Sequence, residues 1–217
     1  MTKGEIRQIV EVQAQALGPV LHAGAATSLA ASLTRNKGLR HDKYPHLMPL
    51  TVRAEMREFL ESDLVPNGWL VGGDSRKMGQ LLLTHADLNM EMQFLKERRR
   101  TYPGGVPVAG KNETRRQRWF SDPLDVALPE PPQIETADPV RLLLLWDFLD
   151  AQTLDQFTLR IVHTLAPGVY GKAVPCDLIV DVQDGGSIFS HLKFPGSPED
   201  DDFFMVEIAN EEDESGS

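Results

Sequence analysis

Five prolines between residues 121 and 139 (Pro123, Pro129, Pro131, Pro132 and Pro139) set the strongest limit on what this chain can fold into. Proline has no N–H to give to a helix or a central strand, and its ring fixes φ. The stretch therefore reads as an extended connector with polyproline II tendency. Any core must be assembled from the segments on either side of it. That divides the sequence into a helical region over 1–65, a β-rich segment with a basic loop over 66–120, the connector over 121–139, a second β-rich segment over 140–208 and an acidic tail over 209–217.

The first region carries a helical period. Ile6, Ile9, Val10, Leu17, Val20, Leu21, Leu29 and Leu33 recur at spacings of three and four, with alanines between them. Thr2 and Glu5 fit a capping box, Gly18-Pro19 should break or kink the run, and Gly38 suits its C-terminal end. Thr51 is the expected N-cap of a second helix whose stripe is Val52, Met56, Phe59 and Leu60.

Strand character follows the turn dipeptide Asn67-Gly68, first over 69–71 and then over 80–84. Leu88, Met90, Met92 and Phe94 alternate with polar residues in the period of a half-buried strand, which makes 85–87 a hairpin connection. Asn112 could cap a short helix running to Phe120. Residues 141–149 (RLLLLWDFL) are open between helix and strand, whereas 157–165 and 178–182 read as strands. A turn over 187–192 and a last strand over 203–208 precede the tail, which is expected to be disordered. The expected fold class is α+β, an N-terminal helical region packed with a mainly antiparallel sheet that draws strands from both sides of the connector. No repeat is visible.

The 217 residues suffice for a sizeable core without staples, and a single cysteine, Cys176, allows no internal disulfide or cysteine-based zinc cluster. With neither an 18-residue apolar run nor an export signal, the expectation is a cytoplasmic protein with no membrane role. The net charge of −10 argues against phosphate binding over the whole surface. The charge is polarised, however. Between residues 96 and 118 stand Lys96, Arg98, Arg99, Arg100, Lys111, Arg115, Arg116 and Arg118, against only Glu97 and Glu113. From Glu199 onward there are nine acidic residues and no cation.

Motifs for common chemistries are missing. The glycine pairs at 72–73, 104–105 and 185–186 form neither a dinucleotide fingerprint nor a P-loop, and there is no GxSxG elbow or HExxH helix. His41, Asp42 and His46 could supply metal ligands, but an exposed polar loop accounts for them more simply. His85 and Asp87 have the makings of an acid/base pair, although a turn uses the same residues. Cys176 is followed by a carboxylate, which suits a structural thiol better than a nucleophile. Asp177 and Asp181, with Asp147 and Asp150, could gather around magnesium or simply solubilise strand edges. Arg35, Lys37, Arg40 and Lys43 form a smaller basic cluster, and with a break at Gly18-Pro19 they would admit a weak helix-turn-helix reading.

The basic segment is the best candidate site. Guanidinium groups grip carboxylate or phosphate by a planar fork, and here they alternate with the aromatic residues Tyr102 and Trp119. The candidate residues are Lys96, Arg98, Arg99, Arg100, Tyr102, Lys111, Arg115, Arg116, Arg118 and Trp119. Three functions follow, in this order: a non-enzymatic interaction or regulatory protein with a protein partner, using this segment and the acidic tail; a nucleic-acid-binding protein using the same arginines; and a metal-dependent enzyme using the aspartates. No cofactor is implied, and the long first helical region also suits a homo-oligomer.

Overall fold

The computed structural model describes residues 3–40, 42–62, 65–98, 101–122, 124, 138–150, 154 and 156–185. The fold is α+β. Helix α1 (Lys3–Arg35) and helix α2 (Leu47–Ser62) precede the hairpin strands β1 (Trp69–Gly72), β2 (Leu82–His85) and β3 (Met90–Lys96). A short helix α3 (Glu113–Trp119) separates these from β4 (Val140–Phe148), β5 (Phe157–Thr164) and β6 (Cys176–Asp181). The strands lie in the sheet in chain order, β1 to β6. All neighbours are antiparallel except β3 and β4, which run parallel from Met90 opposite Val140 to Lys96 opposite Trp146.

Helix α1 runs as one helix through Pro19, so of the break or kink expected there the break does not occur. Leu17 and Leu21, on either side of the proline, are both fully buried, while Pro19 itself faces solvent. One backbone hydrogen bond is lost on the wet side of the helix, and packing on the dry side holds the two halves in one helix. The helix is long and apolar enough to cross a membrane by length and composition. In this fold its face of Val10, Ala14, Leu17, Leu21, Ala25 and Leu29 belongs to the main core. The two helices approach closely at Gly24, where a Cβ would sit 2.8 Å from the Phe59 ring and 2.9 Å from Met56 Sδ.

Helix α2 begins a turn before the expected cap. Pro49 fits the first turn, where no N–H is needed. The Thr51 hydroxyl turns back to the carbonyls of Leu47 and Met48 at 3.1 Å and accepts from Asn36 Nδ2 at 2.9 Å, which ties the end of α1 to α2. The buried stripe of α2 is Met48, Val52, Met56 and Leu60.

The segment left open between helix and strand is the central strand β4. Leu142, Leu144, Trp146 and Phe148 face the core under α1 and α2. Leu143 and Leu145 face a second cluster with Val106, Ala109, Trp119, Val162 and Val174. A strand buried on both faces shows no alternation, which is why its sequence resembled a helix. The structure describes little of 121–139 and nothing of 187–217, so the expected turn over 187–192, strand over 203–208 and acidic tail lie outside the described residues.

Replacing Pro19 with alanine should restore the missing helical hydrogen bond without disturbing a buried contact. We expect Pro19→Ala to raise stability by about 1–3 kcal/mol, seen as a higher urea midpoint at unchanged slope.

Candidate anion-binding site

The basic segment starts where β3 ends, and a buried ion pair fixes its course. The Glu97 N–H continues the ladder to the Trp146 carbonyl at 2.8 Å. Its carboxylate is fully buried and accepts from Arg160 Nε of β5 at 2.5 Å. Arg160 also donates from Nη2 to the Gly104 carbonyl at 2.8 Å, so one guanidinium spans both ends of the following turn. Within it, the Arg98 N–H donates to the Gly105 carbonyl, and the Tyr102 N–H donates to the Arg98 carbonyl at 2.9 Å. Arg98 is thereby held at the base of a closed loop with its side chain exposed.

Helix α3 supplies the second arm. Asn112 caps it as the sequence suggested, its Oδ1 accepting from the Arg115 N–H at 3.1 Å. Trp119 is fully buried, donates from Nε1 to the Pro107 carbonyl at 2.9 Å, and offers its own carbonyl to the Thr164 hydroxyl at 3.0 Å. These bonds seat α3 on the sheet and put the Arg115 guanidinium 4.9 Å above the Trp119 ring. Arg115 Nε is buried and has no hydrogen-bond partner among the described residues. Burial first, then the like charges of Arg98 and Arg53, hold this guanidinium below the ordinary arginine range, with Tyr102 opposing them. Arg53, on α2, is itself held low by burial. None of Arg53, Arg98 and Arg115 has a carboxylate partner among the described residues.

The other residues of the basic segment are placed differently. Lys96 lies 3.2 Å from Asp147 and stands over the rings of Trp146 and Phe148. Arg116 is near Glu113 at 3.9 Å, and Arg118 is 3.6 Å from Glu91, which it shares with Arg141. Lys111 is exposed, and Arg99 and Arg100 lie outside the described residues. Tyr102 and Trp119 are buried, so their rings serve the core rather than a ligand. Arg98 thus shares a turn with Tyr102 and Arg115 lies over Trp119, whereas Lys96, Arg116 and Arg118 each stand near a carboxylate. Sequence reading missed Arg53, because a residue from another element carries no local signal of its approach.

The remaining candidates are engaged structurally. Asp177 accepts from the Leu124 N–H at 2.6 Å and meets His163 Nδ1 at 2.5 Å, while Asp147 is taken by Lys96. Among the described residues no three acidic, histidine or cysteine side chains converge as metal ligands. His85 receives the Leu88 N–H at 3.3 Å and packs edge-on to Trp69, the work of a turn residue. His46 is exposed, Asp42 pairs with Arg40, and His41 lies outside the described residues. Arg35 pairs with Glu55. The helix-turn-helix reading needed a break in α1 that the helix does not have.

Two outcomes follow from this geometry. Glu97→Ala would strand Arg160 beside a closed loop and should cost about 3–5 kcal/mol in chemical denaturation, part of which Glu97→Met with Arg160→Met should recover. The Cys176 thiol is pushed up to about 11, by burial first and then by Asp177. Its neutral form therefore dominates at pH 8, and iodoacetamide should label it roughly a hundredfold more slowly than an unfolded cysteine, faster with each step toward pH 10.

Comparison with known proteins finds no matching family model, no matching curated protein and no matching solved structure.

Proposed function

We propose that this chain is a non-enzymatic, cytoplasmic interaction protein that takes an anionic partner on Arg53, Arg98 and Arg115. The observation that carries the reading is the buried Nε of Arg115, an N–H donor of a charged group with no partner among the described residues. Leaving such a donor unmet costs more than an ordinary hydrogen bond returns, and an oxyanion from outside would meet it. The like charges of Arg98 and Arg53 act on the same guanidinium, which adds to its attraction for a carboxylate- or phosphate-rich chain. Of the four aspartates a metal enzyme would use, Asp177 is bonded to Leu124 and His163, and Asp147 lies against Lys96. The acidic run from Glu199 to Glu214 would give the protein a separate contact for a cationic partner. A chain with one cysteine suits a reducing compartment.

The test uses fluorescein-labelled polyglutamate and single-stranded oligonucleotide as polyanion probes, titrated at low and physiological salt. At least one probe should bind, more weakly at higher salt, and Arg98→Ala with Arg115→Ala should weaken it tenfold or more. Arg116→Ala, which removes a cation near Glu113, should leave binding nearly unchanged. Indifference of both probes to the Arg98/Arg115 double substitution would overturn the proposal.

A further inference from the structure

One aromatic ring that packs edge-on against Tyr102 is otherwise largely exposed. Tyr170 is 78% exposed, at the tip of the loop between β5 and β6, next to Val169 at 62%. The loop is fixed rather than loosely draped. The Ala109 N–H donates to the Pro167 carbonyl at 2.9 Å, and the Lys172 N–H closes a turn onto Val169 at 3.0 Å. Gly168, at φ +74°, sits so close to Val174 and Val108 that a Cβ would lie 2.7 Å and 3.1 Å from their methyl carbons. A well-anchored loop that holds a tyrosine in water presents a ready-made surface.

Tyr102 joins this loop to the arginines. Its ring meets the Tyr170 ring at 5.7 Å and 84°, it shares a turn with Arg98, and it bears electrostatically on Arg115. Lys172, two residues beyond Tyr170, is exposed. The exposed ring of Tyr170 and the turn that carries Arg98 therefore both adjoin one buried tyrosine. An acidic peptide would satisfy the cations and leave Tyr170 idle. A duplex would offer phosphates but keep its bases stacked inside. A single strand alternates phosphate and exposed ring, and so matches both features.

We infer that the anionic partner is a single-stranded nucleic acid, with phosphates on Arg98 and Arg115 and one base stacked on Tyr170. This rests on the anion-site reading of the arginine cluster and adds to it the class of partner.

The experiment measures fluorescence anisotropy of labelled (dT)12, a duplex of the same length and polyglutamate with the full chain. Tyr170→Ala should weaken (dT)12 roughly tenfold, as loss of one stacked base does. Tyr170→Phe should retain most of the binding, and Tyr170→Ala should leave polyglutamate unaffected. The position is exposed, so the variants should keep the parent's circular dichroism and melting temperature. Two results would overturn the inference while sparing the anion site: (dT)12 binding that depends on Arg98 and Arg115 but not on Tyr170, or polyglutamate or duplex bound more tightly than (dT)12. Indifference of every probe to Arg98→Ala with Arg115→Ala would remove the anion site as well.

Discussion

The parallel pairing of β3 with β4 governs the rest of the molecule. Antiparallel neighbours can be joined by a turn, but parallel neighbours require the chain to travel back along the sheet before the second strand begins. Here the return includes α3 and residues 106–109, whose Val106, Ala109 and Trp119 pack on Leu143, Leu145 and Val162. Helices α1 and α2 occupy the other face. The middle of the sheet is thereby dry on both sides, and the strongly basic part of the sequence lies within the connection that the parallel pair demands.

A crossover laid over a core carries polar backbone and charged side chains into low-dielectric surroundings, and each needs a partner. Glu97 and Arg160 supply one where the chain leaves β3, and Asp177 receives the Leu124 N–H beyond α3. Thr164 receives the end of α3 through the Trp119 carbonyl. Among the described residues Arg115 Nε has no hydrogen-bond partner, as is also true of Trp146 Nε1, Ser32 Oγ and Gln93 Oε1. A guanidinium over an indole gains from the ring's quadrupole, which helps explain how Arg115 is tolerated there in the free protein.

Much of this fold was legible in local pattern. The i, i+4 stripe of α2, the Asn112 cap and the alternation of β3 each report a one-sided environment, and each was read correctly in kind. The failures share a physical cause, which is that tertiary packing outweighs a local signal. Pro19 should break a helix in isolation, yet Leu17 and Leu21 hold α1 together, and Thr51 could cap a helix but is used inside one. The central strand hid its type because it has no wet face. The site was legible only in part for the same reason. A run of cations along the sequence says nothing about which carboxylates will arrive from elsewhere, and Glu91 on β3 and Asp147 on β4 claimed Arg118 and Lys96. Arg53 and Tyr170, which the proposed site adds, come from other elements.

The charge of the whole molecule shapes what such a site can do. Beyond about 8–10 Å, roughly one Debye length at physiological salt, a polyanion meets a body of net charge −10 rather than the local cations. Long-range steering is therefore unfavourable, and attraction is confined to groups that can touch the guanidiniums directly. Discrimination then falls to the few contacts at the centre. On the reading proposed above, the flat Tyr170 ring and the Arg115 Nε, which has no partner among the described residues, would favour a partner that brings a ring and an oxyanion at adjacent positions.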